Sequence, residues 1–321
     1  MPKQKLFSRL NRRSLIILLI FVIGLYVILP QISSFHSSVK YLSKPHIIYL
    51  LIALVFSFLT YLEAATSYFL LAFKKLNIKE MYFIQLAIMF VNNLLPAGIG
   101  GIGANYAYLK HKKNTSTQSA SMVTVNNILG LIGHFILIII VLSISPSHQF
   151  TPNISSNLLK EFLPVLLLVI VIILVVGLIY GRQKLIKFTH DLIKQLKTYK
   201  DRLINILLTL LVQMSLTLSN VLCLYFATKS VHLNLAFSSV LIIFTLGSSI
   251  KNATPTPGGL GGYEAGLLVG FAAYKIDIAQ SIAAILFFRL VNFWIPLLCG
   301  FISFIYNERK GRFSRATSES Y

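Results

Sequence analysis

The chain has few acidic side chains: only nine Asp and Glu occur among its 321 residues. The sequence contains no paired-carboxylate motif, no nucleophile elbow and no His/Cys cluster with metal-ligand spacing. We therefore predict no catalytic residues, no metal site and no cofactor. The two cysteines, Cys223 and Cys299, both lie in apolar runs, which argues against a disulfide framework.

Charge of either sign is also scarce, because charged residues make up only 12% of the chain. Soluble domains carry about 25%. Apolar residues make up 56% of the chain, and the mean hydropathy is +0.76. The longest apolar runs, His46–Phe73 and Ile278–Tyr306, exceed the roughly 20 residues needed to cross a bilayer. The sequence predicts an all-α polytopic membrane protein, with residues 1–321 forming one integral membrane domain.

The charge that is present is strongly basic, with a formal net charge of +20. It lies in the connections between apolar runs, which is typical of membrane topology and of contact with anionic lipid, and not of nucleic-acid binding. Most of the Lys and Arg fall at the N-terminus and in segments 74–79, 110–113, 182–202 and 309–315. The positive-inside rule assigns these segments, and with them both termini, to the cytoplasm. We expect the protein to lie in the cell membrane.

This charge pattern predicts six full transmembrane helices and two re-entrant hairpins. Met81–Leu109 has basic groups at both ends, and Leu235–Tyr274 starts and ends on the poorly charged side. Neither run can therefore be a single crossing, and each is interpreted as a hairpin that enters the membrane and turns back. The six full crossings are Leu15–Leu29, His46–Phe73, Ala120–Ile144, Pro164–Tyr180, Leu203–Ala227 and Ile278–Tyr306.

An odd number of crossings in each half predicts an inverted-repeat architecture. The inverted halves span about 14–145 and about 160–307. Segment 182–202 has apolar residues every three or four positions with lysines between them, which favours an amphipathic helix on the cytoplasmic membrane surface. The alternative is an ordinary solvated connector.

A Gly/Pro-rich motif occurs at the turn of each predicted hairpin. PAGIGG at 96–101 recurs 161 residues later as PGGLGG at 257–262. Helix breaks at membrane depth are tolerated only where the backbone is buried in protein or lines a watery cavity. Paired breaks in two halves point to a transport site. The alternative is that the glycines allow close helix packing, as suits the four-residue spacing of Gly258, Gly262, Gly266 and Gly270.

Polar and ionisable residues near the breaks complete a predicted lipid site. Arg289 suits a phosphate and Glu264 a cationic head group, although the two could instead form a structural ion pair. Helix N-termini after the breaks would offer free N–H groups to a lipid phosphate. The candidate residues are Asn92, Asn93, Pro96, Gly98, Gly100, Gly101, Asn252, Pro257, Gly258, Gly259, Gly261, Gly262, Glu264, Arg289 and Glu63.

Other polar residues in the apolar runs are predicted to serve the fold. His134 is interpreted as a hydrogen-bonded structural residue, with a proton relay as the alternative. Interhelical hydrogen bonds are expected from Asn126, Asn127, Gln213, Asn220 and Asn292.

Around both breaks the sequence resembles the membrane domain of lysylphosphatidylglycerol synthases, a family also called flippase-like. The resemblance is carried by NNLLP at 92–96 with its glycines and by PTPGGLGGYE at 255–264, and it extends over essentially the whole chain. It implies the lipid-translocating part without the cytosolic aminoacyltransferase domain, because only a short basic tail follows Tyr306.

Together these features predict a translocase that moves phospholipid between leaflets, with aminoacylated phosphatidylglycerol as a ligand that the resemblance implies. The alternatives are a membrane component of a phosphatidylglycerol lysyltransferase or other lipid-modifying transferase, and a small-solute carrier. The expected partner is a membrane phospholipid, anionic or aminoacylated, joined by a cytosolic transferase under the first alternative. Oligomerisation stays open, and no nucleic-acid partner is expected.

Overall fold

The computed structural model describes residues 41–42, 44–95, 99–144, 199–254 and 256–312. These residues form eight α-helices and a short 3-10 turn at Lys200–Arg202. The helices are α1 Ile47–Leu71, α2 Ile78–Leu94, α3 Ile99–His111, α4 Ser116–Ile144, α5 Leu203–Ser230, α6 Phe237–Ala253, α7 Gly262–Ala273 and α8 Ile278–Arg309. A π-helical turn at Leu290–Trp294 interrupts α8.

Four helices, α1, α4, α5 and α8, are long and apolar enough to cross a membrane. They have 25 to 32 residues, which exceeds the roughly 20 that a bilayer requires. They coincide with four of the predicted crossings, His46–Phe73, Ala120–Ile144, Leu203–Ala227 and Ile278–Tyr306, and confirm long apolar helices there. The other two predicted crossings, Leu15–Leu29 and Pro164–Tyr180, lie outside the described residues, as does nearly all of segment 182–202.

Each Gly/Pro break joins two shorter helices that pack against each other. In the first pair, Glu80 near the start of α2 forms a 2.7 Å ion pair with Lys112, which directly follows α3. The two ends of the α2–α3 pair therefore lie together. In the second pair, α7 packs on α6 so closely that a Cβ atom on Gly266 would lie 2.9 Å from the Cα atom of Gly247. Both pairs are helical hairpins.

Helices α1 and α5 pack along their length in antiparallel orientation. At one end, the backbone N–H of His46 donates to the carbonyl of Ser230 at 2.9 Å. At the other end, the side-chain amide of Asn205 donates to the carbonyl of Leu70 at 2.9 Å. Each of these two helices directly precedes a hairpin, so they occupy equivalent places in the order of elements.

Basic residues from several segments meet at one end of the bundle, which we call the basic end. Arg312, just after α8, and Lys112 both contact the carboxylate of Glu80, at 3.3 and 2.7 Å. Arg202, just before α5, donates to the carbonyl of Ala72, just after α1. The α2–α3 hairpin therefore starts and finishes at the basic end. The α6–α7 hairpin follows the far end of α5, so it starts at the opposite end.

Apolar side chains cover much of the outer surface of the long helices. Val55 on α1, Ile139 on α4 and Leu298 on α8 are each about two-thirds exposed, at 66%, 64% and 67%. Inside the bundle, one cluster of buried apolar side chains comes mainly from helices α5, α6, α7 and α8. A second cluster comes mainly from α1, α2, α3 and α4. The polar residues described next come from α1–α6 and α8.

Candidate functional site

A polar cavity of about 370 Å³ is lined by residues of α1–α6 and α8. Its volume falls within the roughly 300–1,000 Å³ of small-molecule sites. Most of its polar lining consists of side-chain amides: Asn92, Asn93, Asn105, Asn126, Asn127, Asn220, Asn292, Gln85 and Gln213. Two cations, Lys251 and Arg289, also line it, and none of the lining residues described is Asp or Glu. The cavity therefore combines hydrogen-bonding groups with positive charge.

The two helix breaks meet beside this cavity. The Oδ1 atom of Asn93, from the first break, lies 3.5 Å from the position that a Cβ atom on Gly258 would take. A smaller cavity of about 80 Å³ is lined by residues of both breaks, and Asn92, Asn93 and Lys251 line both cavities. Predicted site residues that are far apart in sequence are thus brought together.

Glu264 and Arg289 form an ion pair in which Oε1 and Nε are 2.6 Å apart. The other carboxylate oxygen accepts the backbone N–H of Gly261 at 2.8 Å and so caps the start of α7. The ion pair that the sequence offered as the alternative to ligand binding is therefore present. Arg289 is only 3% exposed, and its Nη2 atom has no hydrogen-bond acceptor within the described part of the chain. This nitrogen is therefore a buried donor without a described partner, in a side chain that lines the cavity.

Both cations lie over the ring of Tyr263. The Nζ atom of Lys251 is 5.2 Å and the Cζ atom of Arg289 is 5.4 Å from the ring centroid. Arg289 also lies over Phe293 at 4.1 Å. Cation–π contacts partly compensate for the lost hydration of these side chains. With Glu264 as the paired carboxylate, this group holds one more positive than negative charge.

Two glycines of the second break make room for these cations. Gly258 and Gly259 have φ values of +63° and +64°, which lie in the left-handed region that favours glycine. A Cβ atom on Gly258 would lie 2.7 Å from the ring of Phe293, and one on Gly259 would overlap the Cγ atom of Lys251. The motif therefore positions Lys251 and the aromatic ring that lies against Arg289.

Two backbone N–H groups at the breaks already have acceptors inside the protein. Gly101 donates to the Oδ1 atom of Asn92 at 2.8 Å, and Gly261 donates to Glu264. The sequence predicted that freed amides would face a lipid phosphate, but at these two positions the protein supplies the partner itself. The reason is general: a buried amide without an acceptor is costly. These two N–H groups are therefore not available to a ligand.

Glu63 does not line the cavity. Its Oε1 atom accepts hydrogen bonds from Ser215 and Ser219 on α5, at 2.5 and 3.0 Å. It thus joins α1 to α5, whereas the Asn side chains of the first break and Arg289 face the cavity.

The remaining predicted residues surround the breaks. Gly100 packs against backbone, since a Cβ atom there would lie 2.6 Å from the carbonyl oxygen of Val91. Gly262 packs against Thr254. Asn252 and Pro257 are exposed beside the second break. Pro96 and Gly98 lie outside the described residues.

Interhelical amide bonds predicted from the sequence brace the cavity wall. Gln213 donates to Asn126 at 2.8 Å and to Ser67 at 3.0 Å, which joins α5 to α4 and α1. Asn292 donates to Asn220 at 3.2 Å, which joins α8 to α5. His134 is half-buried and lies 3.4 Å from Thr245 on α6.

Several polar lining residues were not among the predicted site residues, including Tyr61, Tyr68, Gln85, Asn105 and Lys251. Asn105 accepts from Gln85 at 2.9 Å and donates to the carbonyl of Gly101 one helical turn earlier. The four-residue spacing from Gly101 would have placed Asn105 on the same helix face. The tyrosines give no such indication, because aromatic residues are common in apolar helices.

Two comparisons with known proteins agree with this architecture. The family model described as the lysylphosphatidylglycerol synthase TM region matches residues 14–300, which include both breaks and the whole cavity lining. A UPF0104 membrane protein of Methanocaldococcus jannaschii is 28% identical over 236 residues, covering 69% of this chain and 95% of that protein.

Proposed function

Because this chain belongs to the lysylphosphatidylglycerol synthase transmembrane-region family, we propose that it moves a phospholipid head group between the leaflets of the cell membrane. The chain is a multi-pass membrane protein. The proposal is carried by one observation: an amide-lined cavity with two cations lies where two helix breaks meet, inside a bundle with an apolar exterior. The head group would enter the cavity while the acyl tails stay in lipid.

The packing of the helices supports two inverted halves. The equivalent helices α1 and α5 are antiparallel, and the two hairpins start from opposite ends of the bundle. The positive-inside rule indicates that the basic end is cytoplasmic. The hairpins would then enter the membrane from opposite faces, as re-entrant elements, with the termini in the cytoplasm. Inverted halves with broken helices at the midplane are the architecture of many secondary transporters.

Several backbone groups at the breaks are buried or hydrogen-bonded, as a position within the membrane requires. Unpaired backbone groups in hydrocarbon cost several kcal/mol each. Gly258 and Gly259 are buried, and the N–H groups of Gly101 and Gly261 have acceptors. These contacts suit breaks that lie within the bilayer and border a polar cavity.

Transport requires that the cavity open to each leaflet in turn. The two hairpins are the natural moving parts, since each contributes a break to the cavity and each starts from a different end of the bundle. Glu80 links the first hairpin to Arg312 beyond α8, so movement of that hairpin would be coupled to the last helix.

Lipid movement in vesicles tests the proposal. The purified full chain is reconstituted into vesicles that contain phosphatidylglycerol with a reducible fluorophore on one acyl chain. A membrane-impermeant reductant bleaches the label in the outer leaflet, and protein-dependent movement exposes the inner pool. We expect more bleaching than in protein-free vesicles.

Variants connect this activity to the cavity. Arg289→Gln should slow the movement, because it removes the buried guanidinium, and Asn93→Ala should also slow it without touching the ion pair. Lys229→Gln, at the end opposite the basic end, should leave the rate unchanged. Bleaching equal to that of empty vesicles would refute the proposal, and uptake of glycerol phosphate without lipid movement would favour a solute carrier.

A further inference from the structure

We infer that the cavity selects a phosphodiester head group that carries a single negative charge and no ammonium group. This rests on the proposed function and specifies its substrate class: a lipid such as unmodified phosphatidylglycerol is favoured over zwitterionic and aminoacylated lipids. The inference follows from the charges of the site and from one unpaired donor.

The charged groups at the site are two cations, Lys251 and Arg289, and one carboxylate, Glu264. Lys251 and Arg289 lie over the same Tyr263 ring, and Glu264 pairs with Arg289. One positive charge is therefore not balanced, beside an Arg289 side chain that is only 3% exposed. Uncompensated charge is costly in such surroundings. A phosphodiester supplies one negative charge and would restore neutrality.

The unpaired donor is Nη2 of Arg289. The side chain is 3% exposed and lines the cavity, and no acceptor for Nη2 exists among the described residues. Buried donors in native proteins almost always have a partner. A phosphate oxygen is the acceptor that best fits a guanidinium group. Asn92 adds a further donor, because its carbonyl oxygen accepts from Gly101 while its NH₂ group donates to no acceptor among the described residues.

An ammonium group on the ligand would find no matching charge. The cavity lining described here contains no carboxylate. Glu264 is held by Arg289 and Gly261, and Glu63 does not line the cavity. The rings of Tyr263 and Phe293 already carry the protein's own cations. A lysyl or choline group would therefore be repelled by Lys251 and Arg289 without compensation.

Equilibrium binding separates these head groups. The purified full chain in detergent micelles is titrated with short-chain phosphatidylglycerol, phosphatidylcholine and lysylphosphatidylglycerol by calorimetry. We expect phosphatidylglycerol to bind about tenfold or more tightly than the other two, because all three carry the phosphodiester and only the ammonium groups of the other two meet like charge without compensation. Equal or tighter binding of the lysyl lipid would overturn the inference.

Two variants test whether the preference for phosphatidylglycerol arises from the cations of the cavity. Lys251→Gln and Arg289→Gln should each bring phosphatidylglycerol affinity close to that of phosphatidylcholine, whereas Lys229→Gln should retain the wild-type preference. Lys251 is not in the ion pair, so its variant stays informative where Arg289→Gln disturbs folding. A preference that survives in both cavity variants would overturn the assignment.

Two soluble probes distinguish a lipid head group from a free anion. Glycerophosphoglycerol should compete with the lipid more effectively than inorganic phosphate, and the reverse order would overturn the inference by favouring free phosphate. The vesicle assay tests lipid movement independently of these binding measurements. Selective binding without lipid movement refutes the translocase alone, and lipid movement without head-group preference refutes this inference alone.

Discussion

Gly259 and Lys251 are packed so closely that a Cβ atom at position 259 would overlap the Cγ atom of the lysine. The contact joins the second helix break to a cation of the cavity. Glycine is therefore required at this position for two reasons. Its φ of +64° favours glycine, and the lysine leaves no space for a side chain. The break is therefore part of the machinery that positions charge.

Replacing Gly259 by Ala should weaken binding of an anionic lipid. The methyl group would push the lysine away from the Tyr263 ring, and the left-handed conformation would cost about 1–2 kcal/mol of stability. We expect roughly tenfold weaker binding of short-chain phosphatidylglycerol, measured by calorimetry. Gly311→Ala is the matched control, because Gly311 has a φ of +65° but lies beyond α8. Equal loss of affinity in both variants would rule out a specific role for the contact with Lys251.

Replacing Glu264 by Gln should change which anion the site prefers. The glutamine carbonyl can still accept the N–H of Gly261, so the cap of α7 survives while the carboxylate charge is removed. The excess positive charge of the site then rises by one. We expect the affinity for phosphatidic acid to rise relative to that for phosphatidylglycerol. An unchanged ratio, equal to that of the exposed-site control Glu308→Gln, would contradict the charge argument.

The close packing of α7 on α6 predicts opposite effects at two helical glycines. A Cβ atom on Gly266 would lie 2.9 Å from the backbone of Gly247, whereas one on Gly103 in α3 would meet nothing within 4 Å. Gly266→Ala should therefore destabilise the protein by about 1–3 kcal/mol. Gly103→Ala should be neutral or stabilising by up to about 1 kcal/mol. Thermal unfolding in detergent measures both, and stabilisation by Gly266→Ala would contradict the observed packing.

Glu80 should make stability depend on pH in the acid range. Burial alone would raise the pKa of Glu80, but hydrogen bonds from Lys112 and Tyr108, with the charges of Lys112 and Arg312, lower the pKa below its ordinary value. A carboxylate whose folded pKa is depressed stabilises the fold above its unfolded pKa of about 4.3, and this contribution is lost as the pH falls through the folded value.

We therefore expect the melting temperature of the wild type to fall on acidification below about pH 5 more steeply than that of Glu80→Gln. The variant should be less stable near neutral pH, because Lys112 and Arg312 lose their partner. Glu308→Gln serves as the control and should follow the wild-type curve. Parallel curves for wild type and Glu80→Gln would show that this cluster does not hold the hairpin to the last helix.

Much of the fold could be predicted from the apolar runs, because the bilayer imposes a minimum helix length. The run His46–Phe73 becomes α1 at Ile47–Leu71, and the predicted last crossing starts at the observed first residue of α8. The approach of Glu264 to Arg289 could also be anticipated, since ionisable groups in spans need partners. Both inferences rest on local composition and on the cost of burying charge.

What could not be predicted depends on the register between distant helices. Glu63 was grouped with the site because it is ionisable, but Ser215 and Ser219 meet it only through the antiparallel alignment of α1 with α5. The contact of Glu80 with Arg312 likewise joins the start of α2 to the segment after α8. The capping of Gly101 by Asn92 was missed because it depends on the exact shape of the first break.

The central claim is that the two breaks meet inside the bilayer and hold a lipid phosphate. An experimental density map of the protein in nanodiscs made with phosphatidylglycerol would test it most directly. We predict a phosphate peak in the cavity within hydrogen-bonding distance of the Nη2 atom of Arg289, with both breaks at the depth of the acyl chains. A cavity that holds only water, with either break outside the bilayer or both entering from the same face, would contradict it.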